Sequence, residues 1–77
     1  MDSAPIVLEP AHRHGVPEID MLHALRFAVY QAVQDDGMVM FVGPARDGVL
    51  IEVGVIEWYG DLAIDHAMRP ARTKYLR

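Results

Sequence analysis

Cysteine is absent from the 77-residue chain. Disulfides therefore cannot reinforce the fold, and a thiolate metal site is excluded. No apolar stretch has the length needed to cross a bilayer. The opening Met1-Asp2-Ser3-Ala4-Pro5-Ile6-Val7-Leu8-Glu9-Pro10 has neither the basic n-region nor the long apolar core of a signal peptide. These absences lead to the expectation of a soluble cytoplasmic protein with no membrane partner. Gly43-Pro44 and Asp47-Gly48 form no phosphate-cradling glycine motif, and no nucleophile elbow occurs. Internal repeats, low-complexity tracts and long linkers are missing too. One small domain over residues 1–77 is expected, with a modest core and marginal stability.

Basic residues are scarce through most of the chain. Residues 1–65 hold all eleven acids against Arg13, Arg26 and Arg46, and the net charge is −4. That balance argues against nucleic acid. The end of the chain reverses it: Arg69, Arg72, Lys74 and Arg77 follow with no acid among them. A basic end on an acidic body can bind an anion, contact RNA, or clamp the protein's own acidic face. Most short tails of this kind are simply solvated.

The longest apolar run is Val49 to Trp58. Val49, Ile51, Val53 and Val55 alternate on one face, the spacing of a half-buried strand. Leu50, Glu52, Gly54 and Ile56 take the other face, which is only partly polar. So apolar a strand belongs at the centre of a sheet. Ile6-Val7-Leu8, stopped by Pro10, reads as a brief edge strand. A helix is predicted from Pro17 to Val33, with Leu22, Leu25, Val29, Ala32 and Val33 as its apolar stripe and Ile19 at the margin. Pro17 suits its first turn, and Gln34-Asp35-Asp36-Gly37 its end. Met38 to Val42 is a second strand, joined to the central one through the loop Gly43–Gly48. Tyr59-Gly60-Asp61 turns the chain into a third, Leu62 to Met68, which Arg69-Pro70 ends. Met38, Met40 and Met68 read as core filler. The expected fold is α+β: one main helix on an antiparallel meander of three to four strands.

Two stretches offer chemistry. His12-Arg13-His14-Gly15, just before the helix, places two imidazoles around a guanidinium, where they can bind phosphate or act as acid and base. Read alone, it is more often an exposed polar loop. A His-x-His pair also ligates metals, with His23 or His66 as a third ligand. No carboxylate pattern supports that here, so neither metal nor cofactor is expected. The second stretch is Asp65 to Arg77. On a regular strand His66 shares a face with Leu62, Ile64 and Met68, as a histidine of the core rim would. The functional alternative sets His66 beside Arg69 and Arg72 at the end of the sheet. Imidazole next to guanidinium suits metal-independent RNA cleavage, with proton transfer by one and phosphate binding by the other. Tyr75 can stack on a base or anchor the tail. Trp58-Tyr59 is an aromatic pair at a strand end, packed over the core edge or turned to a partner.

Three motifs carry a resemblance. His14-Gly15-Val16 precedes an acidic-starting helix. Gly48-Val49-Leu50-Ile51-Glu52-Val53 leads the long strand, and Ile64-Asp65-His66-Ala67-Met68-Arg69-Pro70-Ala71-Arg72 closes the chain. Over roughly residues 12–75 the chain resembles BrnT-type toxins, small bacterial toxins of type II toxin–antitoxin systems, and short actinobacterial toxin-like proteins. The tryptophan-led opening and the longer C-terminal helix of that family are missing. The resemblance implies a RelE-like ribonuclease fold and a DNA-binding antitoxin as partner. The family's basic end corresponds to Arg69, Arg72 and Lys74, and the histidine of its His-Gly-Val element to His14.

Two readings follow. In the first, a toxin-like protein acts on RNA as a metal-independent endoribonuclease. Its catalytic residues are His14, His66, Arg69 and Arg72, and His12, Arg13, Lys74 and Tyr75 contact RNA. In the second, a non-catalytic interaction domain, either a degenerate toxin or a small homo-oligomeric subunit, binds another protein or pairs as a homodimer. A small-molecule module is disfavoured because so small a core leaves little room for a pocket.

Overall fold

The computed structural model describes residues 5–75. The fold is α+β, with one α-helix on a sheet. The strands in chain order are β1 (Ile6–Val7), β2 (Tyr30–Val33), β3 (Val39–Pro44), β4 (Leu50–Trp58) and β5 (Asp61–Met68), and the helix α1 is Glu18–Arg26. The sheet has five strands in the order β1-β5-β4-β3-β2. It is mixed, because β1 runs parallel to β5 while every other pair is antiparallel. The expected meander of three or four strands is thus extended at both edges. The central place of β4 follows from its run of β-branched residues, and Ile51 to Val55 are buried without a break.

The helix is half as long as its apolar spacing predicts. It ends at Arg26, capped by Phe27, whose N–H donates to the His23 carbonyl. Tyr30–Val33 then pairs with β3, Tyr30 opposite Val42 and Val33 opposite Val39. Residues 29, 32 and 33 meet the spacing rule for a helix by coincidence, while the β-branched and aromatic side chains here suit a strand. The segment Gln34–Gly37 is accordingly a hairpin turn. Gly37 takes φ 89°, and the Asp36 carboxylate accepts from the Met38 N–H, the usual role of Asp in turns. The buried helix face is Met21 and Ala24, flanked by Leu22 and Leu25, while Ile19 is exposed.

Two clusters fill the two faces of the sheet. On one, α1 packs over Ile51, Val53, Val55, Ile64 and Ala67. Gly43 permits this contact, because a Cβ there would overlap the Ala24 backbone. On the other, the segment after β5 folds back so that Ala71 and Tyr75 cover Met40 and Val42. The Ala71 N–H donates to the Leu50 carbonyl, and the Tyr75 hydroxyl donates to Gln34 Oε1. Residues 73–75 form a single 3-10 turn, and Arg77 lies outside the described residues.

One irregularity decides where β5 points its side chains. Gly54 pairs with His66, but Val55 pairs with Ile64, so Asp65 has no partner and forms a β-bulge. A bulge re-aims the residues after it. His66 therefore does not share a face with Ile64. Ile64 lies in the helix-side core, and His66 turns to the opposite face, above Glu52.

Two stability outcomes follow. Gly43→Ala forces the helix off the sheet and should cost more than about 2 kcal/mol, the range of core overpacking, read as a lowered urea midpoint. Tyr59 sits at φ 49° beside Gly60 in the two-residue turn between β4 and β5. Left-handed backbone costs a residue with a Cβ about 1 kcal/mol, and less for Asn. Tyr59→Asn should therefore raise the thermal midpoint.

Candidate functional site

Glu52 is the only fully buried charged residue among those described. A carboxylate inside so apolar a strand must be paired or it would not stay ionised. Its pairing is complete. Arg72 donates from Nε at 3.2 and 3.1 Å to the two carboxylate oxygens, from Nη2 at 2.7 Å to Oε2, and from its backbone N–H at 2.8 Å to Oε1. His66 Nε2 lies 2.8 Å from Oε2. Burial alone would push the Glu52 carboxyl up; the Arg72 side-chain and backbone donors, with His66, outweigh it and hold the carboxyl below its ordinary value. An ionised carboxylate only accepts, so His66 Nε2 carries the proton and Nδ1 is left as the basic nitrogen. Gly54, next on this face, makes room: a methyl group there would collide with Met38 Sδ and crowd His66 Cβ.

Beside its partners His66 and Arg72 opens a cleft of about 400 Å³. His14 reaches it from the loop after the 3-10 turn Glu9–His12, its ring centroid 6.0 Å from that of His66 and nearly perpendicular to it. Arg13 and Arg72 line the cleft with them, as do Gln34, Asp36 and Asp65. Two guanidiniums, Arg13 and Arg72, thus share the cleft with two carboxylates, Asp36 and Asp65.

The other candidates lie apart. Arg69 does not line the cleft; its two Nη atoms donate to Asp47 at 3.1 and 2.8 Å. That contact holds the Asp47 carboxyl down at about 2. His12 pairs with Glu18 at 3.3 Å on the surface. Lys74 sits 5.0 Å over the Tyr75 ring, and Tyr75 is buried, anchoring its segment to Met40 and Val42. His23 donates from Nδ1 to the Pro44 carbonyl. Among the described residues no three His, Asp or Glu side chains are placed to hold a metal ion, and no helix is long and apolar enough to cross a membrane. The cleft thus unites His14, His66, Arg13 and Arg72 and leaves Arg69, His12, Lys74 and Tyr75 outside. It also contains Gln34, Asp36 and Asp65, and Glu52 lies buried behind His66 and Arg72; motif reading passed over all four. A lone acid inside the most apolar strand was the available signal for Glu52.

No family model matches the chain, and no similar curated protein or solved structure was found.

Glu52 contributes to the acid limb of stability, as do Asp20 and Asp47, whose carboxyls are also held low by arginine partners. A carboxyl whose folded value is depressed contributes stability above its unfolded value, near pH 4.3, and that contribution is lost as pH falls through the folded value. Glu52→Gln should flatten this limb and lower stability at pH 7 by about 2 kcal/mol. That is less than a fully buried pair would lose, because Arg72 is partly solvated. Urea melts of both proteins from pH 7 to pH 3 provide the check.

Proposed function

We propose that this protein is a toxin-like endoribonuclease that cuts RNA without a metal, using His66 as base and His14 as acid. One observation carries the reading: two imidazoles from distant parts of the chain face each other in a cleft that also holds two arginines, and a buried carboxylate orients one of them. In the reaction, the 2′-hydroxyl gives its proton to His66 Nδ1 as its oxygen attacks the neighbouring phosphorus. The bond to the 5′-oxygen breaks, and that oxygen takes a proton from His14 in its charged form. The products are a 2′,3′-cyclic phosphate and a 5′-hydroxyl. Arg13 and the outer nitrogen of Arg72 face the charge that builds on the phosphorane. The similarity of the His14-Gly15-Val16 and Ile64–Arg72 motifs to BrnT-type toxins supports the same reading and supplies an antitoxin as partner.

The ion pairs favour a second reading. Arg69 and Arg72, both assigned to phosphate on sequence grounds, are held by Asp47 and Glu52. Guanidiniums engaged in this way suit a non-catalytic interaction domain descended from such an enzyme.

The purified protein, incubated with a short single-stranded RNA, should release fragments ending in cyclic phosphate, with a bell-shaped pH profile. The same sequence with 2′-deoxyribose should stay intact. His14→Ala and His66→Ala should each lower the rate by about 10²–10⁴-fold, the usual contribution of a positioned acid or base. Cleavage of the deoxy strand, or full activity in both variants, defeats the nuclease reading. No cleavage at any pH leaves the interaction domain as the conclusion.

A further inference from the structure

β2 closes one edge of the sheet, and among the described residues nothing pairs with its outer side. The Gln34 N–H donates to the Met38 carbonyl across the β2–β3 pair. In an antiparallel ladder, successive residues face the neighbour by turns. Tyr30, Ala32 and Gln34 therefore address β3, and Gln31 and Val33 direct their N–H and C=O groups outward. Natural edges are commonly guarded by charge, proline or a bulge. Tyr30-Gln31-Ala32-Val33 has none of these. The opposite edge is only two residues long and lies between Pro5 and Pro10.

Exposed apolar side chains collect along the unguarded edge. Val33 is 74% exposed, Val29 68% and Phe27 50%. Gln31 and Val33 stand opposite Phe41 and Val39 and share their face of the sheet. Phe41 and Val39 line an apolar groove of about 480 Å³ together with Leu25, Val55 and Leu62. Val33 carries that apolar surface to the rim.

We infer that β2 pairs antiparallel with β2 of a second copy, Gln31 of each facing Val33 of the other across a two-fold axis at Ala32. The two five-stranded sheets then become one. Charge selects this occupant and direction. Pairing about Ala32 carries the Arg26 end of one copy toward Asp35 and Asp36 of the other, and symmetry makes the contact twice. Parallel pairing would set the acids against each other. The Arg26 guanidinium lies 5.4 Å over the Phe27 ring, and among the described residues neither Arg26 nor these two acids belongs to an ion pair. This inference is independent of whether the cleft cuts RNA.

Sedimentation equilibrium of the full chain at rising concentration tests it. The expected result is a reversible dimer. Val33→Pro removes an N–H that faces away from β3, so it should leave circular dichroism unchanged and abolish the dimer. Val33→Lys, which guards the edge by charge, should do the same. Arg26→Glu should weaken association about tenfold, and adding Asp35→Arg to it should restore the affinity. The register has its own readout. Ala32 faces its own copy at the closely spaced, non-hydrogen-bonded position, about 4.5 Å between Cα atoms. Ala32→Cys should therefore form an intermolecular disulfide on oxidation, and Gln31→Cys should not. A monomer at every concentration overturns the inference, as does a dimer that both Val33 variants leave intact. Cross-linking through Gln31→Cys but not Ala32→Cys overturns the register.

Discussion

A single buried carboxylate holds the second face of this sheet together. Glu52 accepts from the side chain and backbone of Arg72 and from the His66 ring, so three parts of the chain meet on one charge. A buried ion is costly unless its partners are complete, and here they are. The consequence is mutual dependence: the segment after β5 is docked because Glu52 is charged, and Glu52 remains charged because that segment is docked. The same bond sets which nitrogen of His66 is basic. Stability and the chemistry of the cleft are therefore one problem in this molecule.

The cleft needs two further devices that have no polar chemistry of their own. The bulge at Asp65 sends Ile64 to one face and His66 to the other. Gly54 then leaves the space in which His66 lies beside Met38. Without the bulge, His66 would fall among the apolar residues under α1. The described cations of the basic end do not form one patch. Arg72 turns inward, Arg69 is held by Asp47, and Lys74 rests on Tyr75. Among the described residues only Arg13, from the other end, adds a second cation to the cleft.

How much of this was legible can be judged residue by residue. The period-two run from Val49 to Val55 placed β4 at the centre, and Ile6-Val7 was readable as an edge because proline stands so near. The class, one helix on a sheet, followed from those signals. β2 was hidden because Val29, Ala32 and Val33 also satisfy helical spacing, and periodicity cannot choose when both patterns fit. The bulge was hidden because one extra residue in a ladder leaves no mark in composition. The meeting of His14 with His66 could be suggested by motif but not located, since it depends on that bulge. Glu52 was visible as an anomaly, an acid in an apolar strand, without its partners being visible.

The pairing of β1 with β5 has a consequence for the order of assembly. Strands β2 to β5 follow one another through short turns, and local closures of that kind are entropically cheap. β1 pairs with β5 across most of the chain, and contacts so distant in sequence slow folding. The loop bearing Arg13 and His14 hangs from β1. A chain with only its hairpins formed would lack the seat of the loop that brings Arg13 and His14 to the cleft.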